Sequence, residues 1–351
     1  MIVLAVIIGL SLLIVVHELG HFLAAKAFHV RVDEFSFGFP PRIFSVRYGE
    51  TKYSIGVFPL GGFVKIYGET QGDHNPDAPD AARSFLSQPI FNRSVIMLAG
   101  VFMNVFLAGL IISGVFMMGS PKLAVISEVA PFSPAAEAGI MNGDVVLRIS
   151  AGNAVLSDIA TPDPFVAFVK QNIKTVLTIQ IERNGKPLAI TLRGREKPPE
   201  GEGALGVSLT GVGFDREQFF TAIVHGFQTT LDILVQVTLG FINFFKNIFV
   251  KPEILKTMAG PVGIFTLAAN AGSLGLAYLF QLIAIISINL AVLNFIPFPA
   301  LDGGRFLFLL IEGVKGSAIP ERVERIINTV GFAALILLMI LVTIQDIGRL
   351  L

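Results

Sequence analysis

Four stretches of this chain are apolar and free of charge over lengths that a water-soluble fold rarely sustains, and they decide what the remainder can be. Met1 to Val16 carries no charged side chain and continues past His17 and Glu18 into Phe22 to Ala25; the others are Ser94 to Pro121, Leu274 to Leu301 and Ile326 to Gln345. A hydrocarbon core about 30 Å thick needs roughly 20 apolar helical residues, so each run predicts a membrane span. Composition agrees: 53% of the 351 residues are hydrophobic and only 15% charged, against roughly 25% in a soluble domain. The first run has no basic n-region and no small-residue cleavage site, so it reads as a retained span rather than a signal peptide.

The same composition removes several functions. Lys and Arg total 26 against 26 Asp and Glu, with no basic block to grip phosphates, so nucleic-acid binding is excluded. There is no cysteine, hence no disulfide, no thiolate catalysis and no sulfur-based metal site. No G-x-S-x-G elbow and no G-K-[ST] phosphate loop occurs, which leaves serine hydrolase and nucleotide hydrolase readings without support. With no tryptophan, interfacial anchoring falls to four tyrosines, 31 phenylalanines and Lys/Arg at the span ends.

Basic residues from Lys26 to Arg93 and from Arg305 to Arg325 predict cytoplasmic loops after the first and third spans. Both termini and the long segment between the second and third spans are then expected outside. Residues 122–212 of that segment alternate in short β-like runs with turn residues such as Asn184-Gly185, as in a small α+β domain. Residues 214–258 are apolar with scattered His225, Gln228, Asp232 and Lys246, which fits an amphipathic interfacial helix region. On the cytoplasmic side, residues 35–68 carry hairpin punctuation at Pro40-Pro41, Pro59 and Gly61-Gly62. Open β structure in lipid leaves backbone groups unpaired, so this piece must pack against spans or line a cavity. Residues 69–84, rich in Gly, Pro, Asp and Ala, read as an exposed linker.

His17-Glu18-Leu19-Gly20-His21 is an H-E-x-x-H motif on the first helix. Spacing i, i+4 sets two imidazoles on one face, able to share a Zn²⁺, with Glu18 beside them as general base for a bound water. His17 follows 16 residues, about 24 Å along a helix at 1.5 Å per residue. Ionisable side chains at such depth are costly and mark function. A catalytic zinc takes three protein ligands and keeps a position open. None of the other histidines, His29, His74 and His225, is set in an apolar segment beside another ligand-like residue. Asp302, directly after the third uncharged run and among Pro297, Pro299 and Gly303-Gly304, is the better candidate, because broken helix turns a carboxylate toward a cavity.

His17-Glu18-x-x-His21 together with Leu301-Asp302-Gly303 resembles the site-2 protease family of intramembrane zinc metalloproteases. Residues 35–68 resemble that family's membrane-associated β-hairpin region, and Ala136-Glu-Ala-Gly139-Ile-Met-Asn-Gly143-Asp144 resembles the turn and strand of a PDZ domain. The likeness covers most of the chain and is weakest over 214–258. Two departures stand out: 122–212 has room for one PDZ domain where some relatives carry two, and Val101 stands where proline is expected in Ala99-Gly100-Val101-Phe-Met-Asn104.

The resemblance implies a polytopic α-helical membrane protein with about four transmembrane helices (1–28, 92–120, 274–310 and 326–348), a membrane-associated β-hairpin region and one inserted α+β PDZ domain. It further implies one Zn²⁺ per chain held by His17, His21 and Asp302, with Glu18 activating water. Asn289, Asn294, Gly61, Gly62, Pro297 and Pro299 would handle substrate. Read from its residues alone, the Gly203-Ala-Leu-Gly206 loop is either a carboxylate-binding nest for a peptide terminus or an ordinary Gly-rich strand start. Expected substrates are single-span membrane proteins, such as anti-sigma factors or remnant signal peptides, cut within or beside the span. The place implied is the bacterial cytoplasmic (inner) membrane, with the PDZ domain outside and the active site toward the cytoplasm. Two other classes compete: a non-catalytic PDZ-containing receptor or chaperone with a structural zinc, and a zinc transporter, for which the nearly uncharged spans lack a polar relay.

Overall fold

The computed structural model describes residues 2–70, 72, 77–183, 185–199, 201–247, 250 and 260–350. The elements run α1 (Ile2–Ala27), β1 (Val32–Tyr48), β2 (Thr51–Ile66), α2 (Ile90–Met118), β3 (Leu123–Val129), α3 (Pro134–Glu137), β4 (Val145–Ala151), β5 (Ala154–Ser157) and α4 (Pro162–Gln171). There follow β6 (Val176–Arg183), β7 (Lys186–Arg193), β8 (Val207–Val212), α5 (Phe219–Asn247), α6 (Pro261–Leu274), α7 (Leu276–Phe295), α8 (Asp302–Lys315) and α9 (Glu321–Leu350). Stretches Val6–Ala27, Ile90–Met118, Leu276–Phe295 and Glu321–Gly348 are long and apolar enough to cross a membrane. His74, Asn184 and residues 251–258 of the expected interfacial region lie outside the described residues.

The span expected over 274–310 needs correction. Its helix stops at Phe295, and α8 starts afresh at Asp302 behind an extended Leu301. Pro297 and Pro299 lack the N–H that a continuing helix would use, and each pushes the residue before it out of the helical region. The chain can turn sharply because glycines follow: a Cβ on Gly303 would lie 2.3 Å from the Ile296 carbonyl oxygen, and one on Gly304 2.3 Å from that of Phe298.

The chain divides into two compact units. The first comprises Met1–Ser113, Ile223–Ala269 and Phe280–Leu351. In it β1 and β2 bend and fold over on themselves, so that the 51–55 part of β2 pairs with both halves of β1 and the 62–66 part is an edge. Glu34 fastens the fold: it is 8% exposed and accepts bonds from Arg42 Nε and Nη2 at 2.8 and 2.6 Å and from Ser54 Oγ at 2.6 Å. The sheet lies along α1. Ser11 donates to the Pro59 carbonyl, the Phe22 ring sits 5.3 Å from that of Phe35, and Lys26 pairs with Glu50 at 2.5 Å. Ser11 to Lys26 covers about 22 Å of helix, so the sheet packs against α1 along that length.

Small residues set the helix contacts of this unit, as is usual where lipid supplies no hydrophobic drive between helices. A Cβ on Gly20 would come within 2.4 Å of the Ala99 carbonyl oxygen, so α1 and α2 touch backbone to backbone. Gly226 of α5 meets Ser113 of α2 in the same way, its would-be Cβ 2.7 Å from the serine Cα. At the other end of α2, Arg93 is 5% exposed and grips Glu312 of α8 at 3.1 and 2.5 Å.

The second unit, Gly114–Ala222 with Asn270–Leu279, holds an antiparallel sheet in the order β7-β6-β4-β3-β8, with β5 on β4. Alternation along β6 turns Leu177, Ile179 and Ile181 inward, onto Phe165 and Val169 of α4. Burying Phe165 fully contributes about 1.5–3 kcal/mol. Asp144, 1% exposed, accepts from two Arg183 nitrogens at 2.7 Å and from the Met141 N–H at 2.9 Å. That pairing raises the Arg183 guanidinium pKa above its ordinary value. The Gly203–Gly206 stretch closes as a turn, with the Gly206 N–H on the Gly203 carbonyl, immediately before edge strand β8.

Candidate metal centre

Four residues apart on α1, His17 and His21 share a face and are 6% and 5% exposed. Their Nε2 atoms stand 3.2 Å apart. Oδ2 of Asp302 lies 2.9 Å from the first and 3.3 Å from the second. Four donors held tetrahedrally at about 2.0–2.1 Å around zinc sit about 3.3 Å from one another, so this spacing and this N, N, O donor set fit such an ion. Among the described residues no other three His, Asp or Glu side chains converge in this way. Asp302 is the first residue of α8, where the positive end of the helix favours its anionic form.

Helix α2 forms the back wall. Gly100 leaves room for the imidazoles: a Cβ there would lie 2.5 Å from His21 Nε2 and 2.7 Å from His17 Cε1. One turn earlier, the Ile96 carbonyl takes His21 Nδ1 at 2.8 Å. One turn later, the Asn104 amide faces His17 Nδ1 at 3.3 Å.

Glu18 turns to the other side, where its carboxylate accepts the Val64 N–H at 3.0 Å. Val64 lies in the edge part of β2. Glu18, His21 and Asp302 open on a cavity of about 650 Å³ whose far wall includes Glu69, Arg305, Glu321 and Arg325. A space of this size, lined by several charged side chains, can admit water. Arg305 bonds Glu69 across it. The loop before Asp302 is held by α9: the Ala300 N–H, at a residue with φ of 72°, donates to Asn328 Oδ1 at 3.1 Å. A Cβ on Gly331 would lie 2.4 Å from that of Pro299.

The remaining candidates divide. Asn294 Nδ2 comes within 3.4 Å of His17 Nε2. Asn289 instead donates to the Ile285 carbonyl of its own helix at 2.9 Å. Gly61, at φ 131°, and Gly62 bring β2 against Ile14 and Val15, one turn ahead of His17. Pro299 packs on α9, whereas Pro297 faces a second cavity of about 890 Å³, apolar and bounded by α2, α5 and the end of α7. Gly20, Gly100, Asn104 and Asn328 escape a reading of the sequence for reactive groups. The small-residue run Ala99-Gly100 followed by Asn104 is the trace that α2 leaves of its part.

The family model of peptidase family M50 matches residues 5–338. A protein of Clostridium perfringens named as a zinc metalloprotease is 37% identical over 345 residues, covering 97% of either chain. One of Synechocystis, also named as a zinc metalloprotease, is 33% identical, covering 98% of this chain and 93% of its own. The chloroplastic membrane metalloprotease ARASP of Arabidopsis thaliana is 31% identical, covering 98% of this chain and 78% of its own. The chain belongs to peptidase family M50, and with its four apolar helices it is a membrane protein.

Proposed function

We propose that this peptidase is a zinc metalloprotease of the site-2 type that hydrolyses peptide bonds within or next to the membrane spans of other proteins. The convergence of His17, His21 and Asp302 beside Glu18 carries the reading. Those three residues would hold one zinc ion; a structural site would be closed by a fourth protein ligand, and none of the described His, Asp or Glu joins the three. Bound there, zinc supplies Lewis acidity, easing deprotonation of a water and polarising the peptide carbonyl.

The rest falls to the chain. Glu18 takes the proton of the attacking water and returns it to the leaving amine. The Asn294 amide N–H, aimed at the same point, helps hold the carbonyl oxygen as charge develops on it. A helix hides its carbonyls in its own hydrogen bonds, so a substrate must unwind to be cut. The unpaired side of β2 at 62–66, beside Gly61 and Gly62, offers the extended segment a strand to pair with. Water reaches Glu18 through the charged cavity, from the face that the Lys/Arg bias assigns to the cytoplasm.

The 122–212 unit is read as a single PDZ domain outside the membrane, its Gly203–Gly206 turn opposite a peptide terminus or its bulk filtering out large ectodomains. Residues 214–258 would serve as an amphipathic helix region at the membrane interface. The home proposed is a bacterial cytoplasmic membrane, and the substrates single-span proteins such as anti-sigma factors or remnant signal peptides.

Metal analysis with substrate cleavage tests this reading. Purified wild type should carry about one zinc per chain and cut single-span reporters inside the span; Asp302→Ala should lose both. Full zinc retention in Asp302→Ala would remove that residue from the ligand set.

A further inference from the structure

We propose that Asn104 is a positioning residue that holds His17 in the tautomer able to bind metal; the inference rests on the zinc reading above. His17 Nε2 points at His21 Nε2 and Asp302 Oδ2, so this nitrogen offers its lone pair to the ion. A neutral imidazole then carries its proton on Nδ1, and whatever faces Nδ1 must accept it.

Asn104 is what faces it, at 3.3 Å and fully buried. The amide stands with Nδ2 toward the ring, while its Oδ1 is buried without a hydrogen-bond partner. Oxygen and nitrogen of such a group exchange places by a half-turn about the last side-chain bond. That half-turn sets Oδ1 opposite the Nδ1–H, the orientation that metal binding through Nε2 demands.

The neighbouring histidine supports the assignment. His21 Nδ1 meets the Ile96 carbonyl oxygen at 2.8 Å. Ile96, Gly100 and Asn104 stand one turn apart on the same face of α2, with the glycine leaving space for the two rings. One helix thus orients both imidazoles, by a backbone carbonyl at one end and by a side-chain amide at the other. Position 104 is itself fixed, since Ser287 Oγ of α7 donates to its carbonyl at 2.9 Å.

Two substitutions test it in the full-length, detergent-purified protein. Asn104→Leu keeps the bulk and removes the acceptor; Asn104→Asp keeps an acceptor. Zinc affinity is read by chelator competition and ligand-field geometry by the visible spectrum of the Co²⁺-loaded protein. The Leu variant is expected to bind zinc about 10–100-fold more weakly with an altered cobalt spectrum, and the Asp variant at least as tightly as wild type. Wild-type affinity in the Leu variant overturns the proposal, as does a Leu-like loss in the Asp variant, which would make the position a matter of packing. Thermal unfolding of the metal-free proteins identifies a Leu variant that has not folded, and the Asp variant then decides alone. Failure of the zinc reading looks different: wild type and His21→Ala would bind zinc equally.

Discussion

The backbone N–H of Val64 reaches the carboxylate of Glu18 across 3.0 Å, joining the edge of a β-sheet to the proposed catalytic base. This bond sets where an extended substrate would lie relative to the group that moves its proton. Val64→Pro removes this N–H from the side of the edge strand that faces away from β1, a position where proline is tolerated. A hydrogen bond to a charged group contributes about 1.5–3 kcal/mol. Reporter cleavage measured as kcat/KM should fall about ten- to hundredfold while zinc content stays at the wild-type level; unchanged cleavage would detach the strand from catalysis.

Gly100 should be intolerant of a single methyl group. Its would-be Cβ meets both imidazoles below 3 Å, whereas one on Gly114 of the same helix meets nothing within 4 Å. Gly100→Ala is expected to purify with much less zinc by elemental analysis, and Gly114→Ala with the wild-type amount. Equal zinc in both would mean that the rings can move aside.

Arg93 and Glu312 test what keeps α8 in place. The arginine is 5% exposed and bound at 3.1 and 2.5 Å, so removing it leaves the partly buried Glu312 carboxylate, 19% exposed, without its partner. Breaking a fully buried pair costs about 3–5 kcal/mol, which is an upper bound here because Glu312 keeps some contact with solvent. Arg93→Ala should lower the thermal midpoint in detergent well below that of the Arg93→Met, Glu312→Leu double variant, in which no charge remains.

Much of the centre is legible in the sequence because its signals are local. H-E-x-x-H fixes two side chains by helix spacing alone, and the prolines and glycines around Asp302 announce broken helix before any tertiary contact is known. What is not legible depends on how elements meet. That Asn104 stands behind His17 follows from the phase of α2 against α1, which Gly20 and Gly100 set by backbone contact. The doubled sheet is hidden likewise, since the 51–55 strand pairs with two partners and alternation in the sequence registers only one. Asn289 and Asn294 look alike as residues, yet one bonds its own helix and the other reaches the histidine.

Acid should loosen the turn of the hairpin. Glu50 is held between Arg83 and Lys26, chiefly by its hydrogen bonds to the first, and its pKa is pushed down from 4.5 to about 2. Because the folded value is the lower one, the contribution is fully present above about pH 4.5 and is lost as pH falls from there toward 2. The pair groups are about a third exposed, so the effect is modest. Thermal midpoints of wild type and Glu50→Gln should differ by a constant amount above pH 4.5 and converge toward pH 2; a gap that widens in acid would contradict this assignment.

The most direct test is cleavage of a panel of single-span reporters by the detergent-purified protein, wild type against Glu18→Gln, with the cut mapped by mass spectrometry. The substitution keeps shape, metal ligands and an acceptor for Val64, and removes only the base. Cleavage inside the span by wild type, absent from a Glu18→Gln variant that still holds zinc, is the predicted result. Equal cleavage by both proteins would contradict the account at its centre.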